Sequence, residues 1–191
     1  FKEEKSADSF LRIKTNNQVQ TSLKIGRKLF SRKHSDFSRV QVLNTILGGY
    51  FGSRLMKNIR EDKGFTYGIY SSVDTWKRDG FFYISADLGN DFVREANDEI
   101  YKEIDKLKSD LVPYNEFSMV KNYMLGQILH LVDGPFATGQ LIKSIYAKDL
   151  DIEHFKNHIK TIKSMTRNEV MEMAQKYLEK NTLTTVLAGN F

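Results

Sequence analysis

The chain contains no cysteine. That excludes a disulfide framework, a thiol nucleophile and any thiolate metal site. Proline occurs only twice, and 40% of the residues are apolar and 12% aromatic. A chain of this composition buries a real core rather than remaining disordered. No apolar run approaches the roughly 20 residues needed to span a bilayer, and no secretory leader pattern is present. Histidine is scarce as well: only His34, His130, His154 and His158 occur. The chain starts at Phe1 rather than a methionine, so the expectation is a fragment or processed piece. Missing targeting signals then say little about the parent, for which a bacterial cytoplasmic or periplasmic setting is expected.

Several catalytic signatures are absent too. No G-x-S-x-G elbow exists, and "LGGYFGSR" lacks both the Walker lysine and the long dinucleotide fingerprint. His154 and His158, in "EHFKNH", are four apart, which on a helix places both imidazoles on one face. A hydrolytic zinc site also needs a neighbouring glutamate base and a third ligand, and neither stands in that stretch. "LDIEH", residues 150–154, approaches the inverse zinc motif H-x-x-E-H but has Leu150 where a histidine is required. The expectation is no bound metal and two surface histidines on an amphipathic helix.

The formal charge is +5, with basic residues scattered and modestly clustered at Lys24–Lys33 and Lys156–Lys163. This reads as a solvated basic surface. No recognition element accompanies it, so no nucleic-acid partner is expected.

The patterns that are present outline one domain. Residues 1–17 are charged and weakly patterned and read as a linker or lead-in segment; residues 18–191 read as a single domain. "VQTSLKIGRKLF" alternates as a half-buried strand, with Val19, Thr21, Leu23 and Ile25 on one face. Ser35 and Asp36 offer caps to a helix carrying Val40, Leu43, Ile46 and Leu47, which Gly48 and Gly49 stop. A short helical piece with Leu55, Met56 and Ile59 follows and ends at Gly64. From Thr66 the period becomes two, giving paired strands with a turn at Lys77–Gly80. Asp91 opens an amphipathic helix, Pro113 marks a first helical turn, and "VDGPF" breaks the next helix. Asp151 caps another, Thr166 and Glu169 form a capping box, and "TLTTVLAGNF" closes as a strand. The element order predicts an α+β fold: a mainly antiparallel sheet with helices packed on one face.

One stretch exceeds what a core requires. "LGGYFGSRLMKNIREDKGFTY" spans residues 47–67. Arg60 is expected at a helix end and Tyr67 at a strand start, with Gly64 turning the chain between them. That places a guanidinium and a phenol on one rim, both donors suited to a carbonyl or carboxylate oxygen. The competing reading makes Arg60 a partner of its own helix C-terminus and Tyr67 a half-buried sheet residue.

These residues resemble the non-catalytic, C-terminal-type domain of the pitrilysin/insulinase zinc metallopeptidases, the family of the mitochondrial processing peptidase. The resemblance rests on Leu47-Gly48-Gly49, Ser53-Arg54-Leu55, Arg60-Glu61, and Lys63-Gly64-Phe65 with Tyr67. "TRNEVMEMAQKYL" is similar to the family's closing helix. The resemblance implies a metallohydrolase-like fold. It implies that zinc lies in a homologous companion domain or subunit, with no metal bound here and no catalytic residue in this domain alone. It implies that Arg60 and Tyr67 bind a peptide substrate, with Gly48, Gly49 and Gly64 forming backbone turns of the site. It also implies a dimer in the full assembly. The alternative is a structural or partner-binding subunit of the same fold without peptidase activity.

Overall fold

The computed structural model describes residues 9–16 and 18–190. Five strands form one sheet: β1 (Phe10–Lys14), β2 (Gln20–Phe30), β3 (Thr66–Thr75), β4 (Asp79–Gly89) and β5 (Thr184–Gly189). Their spatial order is β1-β5-β2-β4-β3. Only the β1–β5 pairing is parallel; the others are antiparallel. Among the described residues there are six α-helices: α1 (Phe37–Leu47), α2 (Val93–Ser109), α3 (Tyr114–Leu131), α4 (Gly134–Tyr146), α5 (Ile152–Ser164) and α6 (Arg167–Tyr177). The α+β architecture expected from the element order is the one observed.

Period-two alternation sends alternate side chains to opposite faces. Leu23, Ile25, Phe82, Ile84, Leu88, Ile69 and Leu187 are buried on the helix-bearing face. They join Val40, Leu43 and Ile46 of α1, Ile100 and Ile104 of α2, and Val170 and Ala174 of α6 in one core. α3 and α5 pack against α1, and α4 against those two. The opposite sheet face carries a row of rings. Trp76 meets Phe81 at 4.9 Å between centroids, Phe81 meets Tyr83 at 5.3 Å, and Tyr83 meets Tyr70 at 5.9 Å.

Three local details depart from the expectation. Phe10–Lys14, inside the stretch read as a linker or lead-in segment, is the edge strand β1, paired along its length with Thr185–Gly189. Its residues are all exposed, so it lacks the alternation that marks a strand in sequence; backbone pairing alone defines it. Val19 lies outside β2 and is exposed. Asp36 stands at the N-cap of α1 but makes no side-chain cap bond. Its carboxylate accepts instead from Lys176 Nζ and Tyr177 Oη, both at 2.7 Å, tying α1 to α6. Those donors hold its pKa below the ordinary aspartate value against the opposing effect of burial. The caps at Asp151 and at Thr166 with Glu169 form as expected.

Candidate functional site

The site grows from the C-terminal end of α1. Gly48 and Gly49 both donate backbone N–H to Asn44 O at 2.9 Å, closing the helix. Gly48 O then accepts from Ser71 N of β3 at 3.0 Å, and Asn44 Nδ2 donates to Ser71 O at 3.3 Å. A Cβ on Gly48 would stand 2.6 Å from both Ser71 N and Ser71 Oγ. Its φ of −156° lies outside the left-handed region that favours glycine. Gly48 is therefore needed for close approach of helix to strand, not for a special turn.

The next residues anchor that end to the body. Ser53 and Leu55 are buried. Arg54 forks onto Glu116 of α3, with Nε–Oε1 at 2.7 Å and Nη2–Oε2 at 2.9 Å. The ion pair raises the Arg54 pKa against the opposing effect of burial. Met56–Asp62 then winds as a π-helix, a rare wide turn that is frequent at functional sites. Lys63 N reaches Asn58 O at 3.2 Å, and Phe65 N reaches Ile59 O at 3.0 Å. Gly64, at φ +67°, makes that return possible; here the left-handed backbone itself calls for glycine.

Arg60 lies in the last turn of the π-helix. Its guanidinium sits 4.9 Å from the centroid of Phe51, a cation–π contact. No hydrogen bond or ion pair engages Arg60 among the described residues. Arg54 and Arg60, six residues apart, thus have opposite roles: one is locked to a carboxylate, the other is held by a ring with its donors free.

Tyr67 follows on β3, at an irregularity in the ladder. Thr66 pairs with Leu88 and Ile69 with Ala86, so β3 carries one extra residue there. This is a β-bulge, which bends a strand and re-aims its side chains. Thr66 Oγ1 stabilises it, donating to Asp87 O at 2.6 Å and accepting from Gly68 N at 3.1 Å. Tyr67 is 91% exposed and its hydroxyl has no partner among the described residues. The half-buried alternative for Tyr67 is excluded. No hydrogen bond joins Arg60 to Tyr67; the π-helix and the bulge present them on either side of the Gly64 turn. Beside them lies a depression of about 330 Å³ bordered by Gly48, Phe51, Met56 and Tyr70. Phe51 is a site residue that the sequence does not single out, because a residue nine positions before Arg60 carries no periodic link to it.

No group of three or more metal-capable side chains occurs among the described residues. His154 and His158 do share a face of α5, but both are half-buried rather than fully exposed. Both rings lie against Phe37 of α1, at 6.4 and 6.1 Å between centroids. Burial, followed by the charge of Arg32, pushes the His158 pKa down to about 4. No helix of the described residues is long and apolar enough to cross a membrane.

Comparison with known proteins bears on this arrangement. A family model described as the peptidase M16 inactive domain matches residues 2–124. The zinc protease YmxG of Bacillus subtilis (strain 168), itself uncharacterized, is 30% identical over 110 residues, covering 58% of this chain and 27% of that protein. The zinc protease Mb2805c of Mycobacterium bovis, also uncharacterized, is 25% identical over 180 residues, covering 93% of this chain and 40% of its own. The chain therefore spans well under half the length of these relatives. The crystal structure of a peptidase M16 inactive domain from Pseudomonas fluorescens superposes with a TM-score of 0.85 at 22% identity, covering 95% of this chain and 43% of the other.

Proposed function

This chain belongs to the peptidase M16 inactive-domain family, and from that premise we propose that it is the substrate-orienting half of a zinc metalloendopeptidase. In this reading Arg60 and Tyr67 donate to backbone carbonyl oxygens of an extended peptide whose scissile bond lies at a zinc site on a companion domain or subunit. The observation that carries the reading is the pair of unengaged donors on irregular backbone, Arg60 on the π-helix and Tyr67 on the bulge. Such backbone is costly to form without a function to hold it.

The chemistry is coherent. A guanidinium offers up to five donors and a phenol one. Aimed at carbonyls, they orient an extended peptide, and they stabilise charge that develops on an oxygen during acyl transfer. The companion's zinc would supply the activated water. Arg60 and Tyr67 become effective only when the two halves close, which also excludes water from the bound peptide. Phe51 keeps the guanidinium positioned without neutralising it, as a carboxylate would. The depression bordered by Phe51 and Met56 would accept a substrate side chain.

The test uses the active assembly containing this chain. Arg60→Ala and Tyr67→Phe should each lower peptide turnover by about 10–1,000-fold, the range for losing a transition-state donor. Zinc content and folding should stay unchanged. Full turnover in both variants would refute the role and leave a structural or partner-binding subunit as the better reading.

A further inference from the structure

At the other end of α1 lies a cavity of about 650 Å³ between α1, α3, α4 and α5, within the range of small-ligand sites, roughly 300–1,000 Å³. Its apolar wall includes Phe37, Ile128, Leu141, Ile145 and Phe155. Its polar side is formed by Arg32, Lys148, His130, His154 and His158 with Gln41, Gln140 and Ser144, and no aspartate or glutamate among the described residues lines it. The Arg32 guanidinium stands 5.1 Å from the Phe37 ring centroid. It makes no hydrogen bond or ion pair among the described residues, and its Nε is shielded from solvent without a partner. His154 Nε2 is shielded and unpartnered in the same way.

We propose that this cavity binds a carboxylate carried on an apolar body. Arg32 and Lys148 are half-buried, a partly desolvated cation is stabilised by a counter-charge, and among the described residues no carboxylate forms an ion pair with either. The two carboxylates whose charge acts on the cavity's titratable groups, Asp74 on Lys148 and Asp151 on His154, are engaged in other hydrogen bonds: Asp74 accepts from Ser72 Oγ at 2.8 Å, and Asp151 caps α5 at His154 N at 2.7 Å. A planar guanidinium fork matches a carboxylate in geometry as well as charge. Burial together with the charge of Arg32 lowers the pKa of Lys148 and of both histidines. His158 is therefore neutral at pH 7, and its Nδ1 meets Ser38 Oγ at 2.8 Å. The fixed positive charge comes from Arg32 and Lys148, the imidazoles serve as neutral hydrogen-bonding groups, and the apolar wall receives the body of the ligand. The site is independent of Arg60 and Tyr67.

The experiment titrates the 191-residue chain with decanoate by calorimetry while following the His154 and His158 ring resonances by NMR. Saturable binding that shifts both resonances is expected, with decanol and inorganic phosphate each at least about tenfold weaker, because each lacks one half of the recognition. Arg32→Gln and Lys148→Gln should each weaken decanoate by about tenfold. Absence of saturation, decanol equal to decanoate, or phosphate equal to decanoate overturns the proposal on the unaltered chain, so a variant that fails to fold cannot rescue it. Unchanged decanoate affinity in both folded variants also overturns it. N-acetyl-leucyl-phenylalanine, as acid and amide, separates the sources. An acid form tighter than decanoate assigns the site to a peptide C-terminus, a weaker one to a free fatty acid, and either ranking keeps the carboxylate preference provided the amide is the weaker binder.

Discussion

The two ends of α1 hold arginines in opposite settings, each without an ion pair among the described residues. At the C-terminal end, Arg60 sits on an open rim beside an exposed tyrosine, on a backbone made irregular by a π-helix, a left-handed glycine and a bulge. At the N-terminal end, Arg32 faces a cavity walled by apolar side chains and three histidines, which lie on regular helices, while Arg32 and Lys148 stand in turns. The first arrangement is built within some twenty consecutive residues. The second is assembled from segments more than a hundred residues apart. A local motif can present donors outward by bending its own backbone; shielding a cation from water takes several elements at once.

The comparison sharpens first at His158. Its pKa is lowered from 6.5 to about 4 in the folded chain, so the unfolded state binds the extra proton at higher pH. Stability should fall as pH drops from about 6.5 to 4 and level off below, by about 3 kcal/mol in all. His158→Gln should flatten that slope in denaturant titrations across the window. His154 shifts in the same direction and leaves a residual slope. The lowered Asp36 and Glu169 act below their unfolded values of 3.8 and 4.5, toward the acid end of the window. A slope unchanged in the variant would contradict the buried, neutral His158.

Arg54 offers an effect of similar size within the other region. Its partner Glu116 is mostly shielded, so Arg54→Met should strand that carboxylate and cost about 3 kcal/mol by urea unfolding. Gly48→Ala comes next, at about 2 kcal/mol, because its Cβ must displace Ser71 backbone. Gly64→Ala meets no neighbour but must hold φ near +67°, a cost of about 1 kcal/mol. Smallest are Arg60→Met and Tyr67→Phe, each within about 0.5 kcal/mol of the parent. A rim whose donors matter for binding rather than folding requires that near-zero result; a loss comparable to Arg54→Met would make Arg60 structural.

Much of this was legible in residue order, for identifiable reasons. The alternation of Leu23 and Ile25 and the helical stripe of Val40, Leu43 and Ile46 follow from burial on one face, which imposes a period. The caps at Asp151 and Thr166 are local chemistry. Asp36 shows the limit of that logic, because distant Lys176 and Tyr177 compete successfully for its carboxylate. Strand β1 was not legible, since an edge strand exposed on both faces needs no alternation. The histidines of α5 share a face as their spacing requires, yet spacing could not say that α1 and Arg32 would cover that face.

The sequence by itself determined the α+β class, the family, and the stretch from Leu47 to Tyr67 as the place where backbone is specialised, because turns, periods and short motifs act over neighbouring residues. Only the tertiary structure decided that Arg54 is neutralised while Arg60 is not, that Tyr67 stands in a bulge facing water, and that Arg32 shares with His154 and His158 a cavity that no carboxylate among the described residues lines. Those outcomes depend on which distant groups arrive at hydrogen-bond range and how much water they displace, and both are properties of the packed chain.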